Sequence, residues 1–72
     1  MEDLLKQMEE VLEESVKLDD ILEDFEEWDS FAIITLVAFI NKTYNVHLYS
    51  KDIREAETVG DLINIVKEKV AA

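Results

Sequence analysis

The sequence predicts an all-α fold: a small four-helix bundle of three main helices and one short one. Three observations carry that prediction. The chain has no proline and a single glycine, Gly60, whereas small sheet-rich domains need frequent turn residues. Its longest apolar patterns run at helical rather than strand length. Two helix-start signals, Asp29-Ser30 and Thr58-Val59-Gly60-Asp61, stand directly before apolar segments.

Each element follows in order. Leu4, Leu5, Met8, Val11, Leu12 and Val16 recur at helical spacing, with Lys6, Gln7, Glu9, Glu10, Glu13 and Glu14 on the opposite face. This predicts an amphipathic helix over residues 3–16. Residues 17–29 have no clean period. Leu18, Ile21, Leu22, Phe25 and Trp28 are scattered among seven acids, which reads as a long loop pinned to the core by its apolar residues. The alternative is a short extra helix over part of it. A loop this long in a compact domain is often functional.

Residues 30–45 are the most apolar segment. Phe31, Ile33, Ile34, Leu36, Val37, Phe39 and Ile40 leave a narrow stripe of Ala32, Thr35, Ala38, Lys42 and Asn45. The β-branched residues would also suit a strand, and periodicity does not decide. Length and the upstream Asp29-Ser30 cap favour a central, mostly buried helix. Val46, Leu48 and Tyr49 then continue the core, and Ser50 is placed to cap a short turn over Lys51 to Glu55. Thr58-Val59-Gly60-Asp61 has the Thr-x-x-Asp form of a capping box. It opens a last helix with Val59, Leu62, Ile63, Val66 and Val70 on one face. Lys67 and Lys69 lie in its last turn, where they favour the helix dipole. With 72 residues and no repeat or linker, one domain over 1–72 is expected.

The chain is 49% hydrophobic, which argues against disorder. It has no cysteine, so no disulfide supports a core that, at this size, buries only about 60% of the unfolded surface. The net charge is −11, and its distribution is uneven. Residues 1–29 hold 13 acids and 2 bases, while residues 30–72 hold 5 of each. Such a field repels nucleic acid and anionic membranes and attracts basic protein surfaces. The longest apolar stretch, Phe31 to Ile40, is far short of the ~20 residues that span a bilayer. Met1-Glu2-Asp3 lacks the basic start of a signal peptide. A cytoplasmic monomer is the expectation.

Catalysis finds no inventory. His47 is the only histidine, with no evident nucleophile beside it to activate. Solvated carboxylates on a charged face do not gain the shifted pKa that acid–base work needs. An EF-hand would need alternating ligands and a glycine at the sixth loop position, and Asp19 to Ser30 supplies neither, so no metal site is expected. Ser30 is the informative residue. As a bare serine at a helix start it reads first as an N-cap. Its hydroxyl would also be exposed and open to esterification by phosphate, and a helix N-terminus favours the added negative charge.

Trp28-Asp29-Ser30-Phe31 resembles the Asp-Ser-Leu attachment motif of acyl and peptidyl carrier proteins. The surroundings are similar too: an acidic amphipathic helix and a long loop before the motif, an apolar helix after it, then a short helix. Thr58-Val59-Gly60-Asp61 is similar to that family's Thr-Val-x-Asp. The pattern covers about Leu4 to Val70. The resemblance implies a non-enzymatic carrier whose Ser30 bears 4'-phosphopantetheine from coenzyme A, with acyl groups held as thioesters on the arm. Asp29 matches the family's acid before the serine. Phe31, Ile34, Thr35 and Ala38, with Glu26 and Glu27 just upstream, would form the surface presented to enzymes. These partners would be a phosphopantetheinyl transferase and acyl-loading and acyl-processing enzymes with basic docking surfaces. Phe31 replaces the family's usual leucine. No Asp or Glu occurs from Ser30 through Lys51, although fatty-acid-type carriers place several acids there. Fatty-acid and specialised acyl or polyketide-type pathways therefore both stay open. The competing reading is an unmodified acidic helical module that binds a basic partner.

Overall fold

Residues 1–71 are described by a computed structural model. It has four helices: α1 (Glu2–Leu12), α2 (Ser30–Tyr44), α3 (Ser50–Arg54) and α4 (Val59–Ala71), with no strand among the described residues. Helix α2 packs against α1 and α3, and α3 against α4. The core is wholly apolar among the described residues, with no buried polar side chain.

Helix α1 buries Leu4, Met8 and Leu12, four residues apart and so on one face. It stops at Leu12 rather than at Val16. Glu13 adopts the left-handed conformation, φ 58° and ψ 31°, which closes the helix as a residue just beyond a C-cap commonly does. The Val16 N–H then donates to the Glu9 carboxylate at 3.1 Å. Val16 still packs against the core from the loop.

The loop from 13 to 29 contains one 3₁₀ turn, Leu22–Asp24, so the extra-helix alternative is realised over three residues only. Leu22 and Phe25 are buried, and Trp28 packs against the core. Leu18 and Ile21 are exposed, contrary to expectation. Backbone bonds hold that stretch instead. The Gly60 N–H donates to the Leu18 carbonyl at 2.8 Å, Val59 N–H to Asp20 at 3.0 Å, and Leu22 N–H to the Glu57 carbonyl at 2.9 Å. A Cβ on residue 60 would lie 3.0 Å from the Leu18 carbonyl oxygen, so the single glycine permits this close backbone approach.

Helix α2 buries Ala32, Ile33, Leu36 and Ile40. Ala32 therefore belongs to the core, not to the outward stripe expected from its size. Phe31 and Ile34 take its place outside, 77% and 63% exposed. The helix ends where Asn45 turns left-handed at φ 53°. Asn41 then ties the following loop to α2: its amide donates to the Leu48 carbonyl at 3.1 Å and accepts from the Leu48 N–H at 2.9 Å. Leu48 is buried, but Tyr49 is exposed rather than in the core. Ser50 is the first residue of α3, not its cap. The Asp52 carboxylate instead accepts the Tyr49 N–H at 3.0 Å.

The capping box of α4 forms in both directions. The Asp61 N–H donates to Thr58 Oγ1 at 3.0 Å, and the Thr58 N–H donates to Asp61 Oδ2 at 3.2 Å. Val59, Leu62, Ile63 and Val66 are buried, while Val70, in the last turn of α4, is exposed.

Candidate functional site

The acidic loop delivers Trp28 and Asp29 to the start of α2. Asp29 is extended, at φ −136° and ψ −173°, and is the N-cap. Its Oδ1 accepts the Ala32 N–H at 3.0 Å, and its carbonyl accepts the Ile33 N–H at 3.0 Å. Ser30, the alternative cap in the Asp29-Ser30 pair, is therefore the first helical residue. The reason is local: Asp29 has the side-chain reach for the amide three residues on, which frees the Ser30 hydroxyl from capping.

That hydroxyl is exposed. It has one hydrogen bond, accepted by Oγ from Arg54 Nη2 at 3.3 Å. The bond links the start of α2 to the end of α3 across 24 residues. The N–H groups of Ser30 and Phe31 make no hydrogen bond within the described residues. Glu23, Trp28, Asp29, Ile33 and Arg54 line an open depression beside Ser30. His47 sits exposed in the loop between α2 and α3 and makes no hydrogen bond to Ser30. No group of three or more metal-ligating side chains forms among the described residues. An ester phosphate on Oγ would meet two unpaired N–H groups, the positive end of a 15-residue helix and a guanidinium. The residues present fit such a group.

The capping geometry separates Asp29 from Ser30. Asp29→Ala should cost about 1 kcal/mol of folding stability, the usual loss on removing an N-cap side chain. Ser30→Ala should stay within about 0.5 kcal/mol of wild type, as an exposed substitution. Urea denaturation of the two variants checks the order, and equal losses would move the cap to Ser30.

The other residues singled out in the sequence fall around the same end. Phe31, Ile34 and Ala38 are exposed along one side of α2, so Phe31 and Ile34 are not core residues. Thr35 is half-buried and donates its hydroxyl to the Phe31 carbonyl at 2.9 Å. Glu26 and Glu27 are exposed in the turn before Asp29. Sequence reasoning missed Arg54. Nothing in local spacing brings Arg54 to Ser30; only the docking of α3 on α2 does.

No family model matches the chain, and no curated protein does. Its fold is that of a solution NMR structure of a holo acyl carrier protein from Geobacter metallireducens. The two are 20% identical, with a TM-score of 0.75 over 97% of this chain and 84% of that one. No helix of the described residues is long and apolar enough to cross a membrane. The chain has the acyl-carrier-protein fold.

Proposed function

We propose that this protein is an acyl carrier whose Ser30 is esterified by 4'-phosphopantetheine. The observation that carries the reading is the exposed, uncapped Ser30 hydroxyl at the first position of α2, on a fold shared with an acyl carrier protein. The chain acts as a substrate of other enzymes and is not itself one. A phosphopantetheinyl transferase forms the Oγ–P bond while the pyrophosphate bond of coenzyme A breaks. The serine proton passes to a base of the transferase, and adenosine 3',5'-bisphosphate leaves. Once bound, the arm supplies a terminal thiol that holds acyl groups as thioesters. Ser30 anchors it, Asp29 fixes the turn that presents it, and the N-terminus of α2 favours its phosphate charge. The carrier would serve fatty-acid or specialised acyl biosynthesis in the cytoplasm, as a monomer.

Two parts of the surface would serve partners differently. Glu26 and Glu27, with Asp29 behind them, supply long-range attraction to a basic enzyme. Phe31, Ile34 and Ala38 supply close apolar contact. Long-range charge mainly sets association rate, and close contact mainly sets dissociation. Glu26→Lys with Glu27→Lys should therefore slow association with a transferase by about tenfold at low salt. It should also flatten the salt dependence and leave dissociation nearly unchanged. Stopped-flow binding across a salt series checks this, and an unchanged association rate would remove the acidic turn from docking.

The reading is tested by loading. Supplied with a transferase and an acyl-coenzyme A, wild type should acquire an acyl group that neutral hydroxylamine removes, as it does from a thioester. Ser30→Ala, shown to be folded by circular dichroism, should acquire none. Equal loading of the two proteins would overturn the assignment.

A further inference from the structure

We propose that Arg54 is the residue that holds the phosphate of the arm, so that modification of Ser30 fastens α3 to the start of α2. The inference rests on the carrier reading above and goes beyond it to a residue on another helix. Arg54 is the chain's only arginine. Its Nη2 already donates to Ser30 Oγ at 3.3 Å, although the side chain is exposed and the loop beside it is rich in acids. Among the residues that line the depression beside Ser30, Glu23 and Asp29 are acidic and Arg54 is the one base. A phosphodiester there adds a third negative charge to two carboxylates. The same guanidinium that now meets a neutral hydroxyl would then meet an anion.

The change of partner matters energetically. The bond to the hydroxyl has a charged donor only, whereas a phosphate oxygen would make both partners ionised and add direct charge attraction to it. The planar guanidinium can also offer two N–H groups to two phosphate oxygens, which a lysine ammonium does as a point charge only. Helix α3 is five residues long, too short to be stable without tertiary contacts. A stronger bond at its last residue therefore acts on an element with few others. The consequence is a difference between the unmodified and modified proteins that depends on Arg54.

The test compares unmodified and phosphopantetheine-bearing forms of wild type, Arg54→Gln and Arg54→Lys. Intact mass first establishes that each preparation is modified. Three readouts follow: thermal melting, the ³¹P resonance of the phosphodiester, and amide hydrogen exchange of residues 50–54. Wild type should gain about 4 °C on modification, the scale of shift expected for a domain of this size from one such contact. Arg54→Gln should gain less than half of that. Its ³¹P resonance should move from the wild-type position, and its α3 amides should lose the slowing seen on modification. Arg54→Lys should fall between the two. A purely structural Arg54–Ser30 bond would instead lower the unmodified and modified forms of Arg54→Gln alike. An equal gain in all three proteins, with an unmoved ³¹P resonance, overturns the role of Arg54 and leaves the carrier reading standing. Failure of wild type to take the arm at all overturns both.

Discussion

Leu36→Ala should leave a large fraction of the protein unfolded at room temperature. Leu36 is fully buried at the middle of α2, the helix that packs against both α1 and α3. Truncation of a buried leucine costs about 2–5 kcal/mol, from lost transfer energy and the cavity left behind. A domain this small, with no cysteine to form a disulfide, rarely has more than about 3–5 kcal/mol to lose. The unbalanced negative charge of residues 1–29 further opposes compaction. Circular dichroism and urea denaturation check the expectation. A melting temperature within two or three degrees of wild type, on the order of 0.5 kcal/mol for this size, would mean that α2 is not the centre of the core.

Phe31→Ala, five positions earlier on the same helix, should have the opposite profile. Phe31 is 77% exposed, so its ring buries little area against the fold and its loss should leave the melting curve near that of wild type. Its effect should appear in docking. A large exposed aromatic next to Ser30 is the kind of side chain that becomes an anchor when a partner covers it. Loss of about 1.4 kcal/mol of contact corresponds to tenfold faster dissociation from a transferase or a loading enzyme, with association little changed. With no acid from Ser30 through Lys51, close contact along this edge should be mainly apolar. Surface-captured carrier with timed dissociation measures the effect. Unchanged dissociation at wild-type stability would take Phe31 out of the interface.

These two residues mark what was legible in the sequence. The four helices were, because their apolar spacing, the Thr58 capping box and the lack of turn residues all point the same way. Which side of α2 faces inward was less so. The segment is apolar almost all round, and residue size wrongly put Ala32 outside. The side on which α1 and α3 pack decides the matter, and that is a tertiary fact. Helix ends were misplaced for local reasons. The periodicity of α1 runs on through Val16, but the left-handed Glu13 and the Glu9 carboxylate end the helix at Leu12. Asp29 outcompetes Ser30 for the first-turn amide of α2, and at α3 the Asp52 carboxylate takes the N–H of Tyr49, the residue before the helix, so each serine becomes the first helical residue. For Ser30 that shift has a chemical consequence, since it leaves the hydroxyl free. Arg54 was not legible at all: its partner is 24 residues away, and only the packing of α3 brings the two together.

The most direct measurement is the mass of the protein after incubation with coenzyme A and a phosphopantetheinyl transferase, followed by fragmentation of the modified peptide. Wild type should gain one phosphopantetheine, and the fragments should place it on Ser30. Ser30→Ala, folded to within about 0.5 kcal/mol of wild type, should gain none. A wild-type chain that stays unmodified with transferases of differing specificity, or an arm found on Ser15 or Ser50, would contradict the carrier role assigned to Ser30.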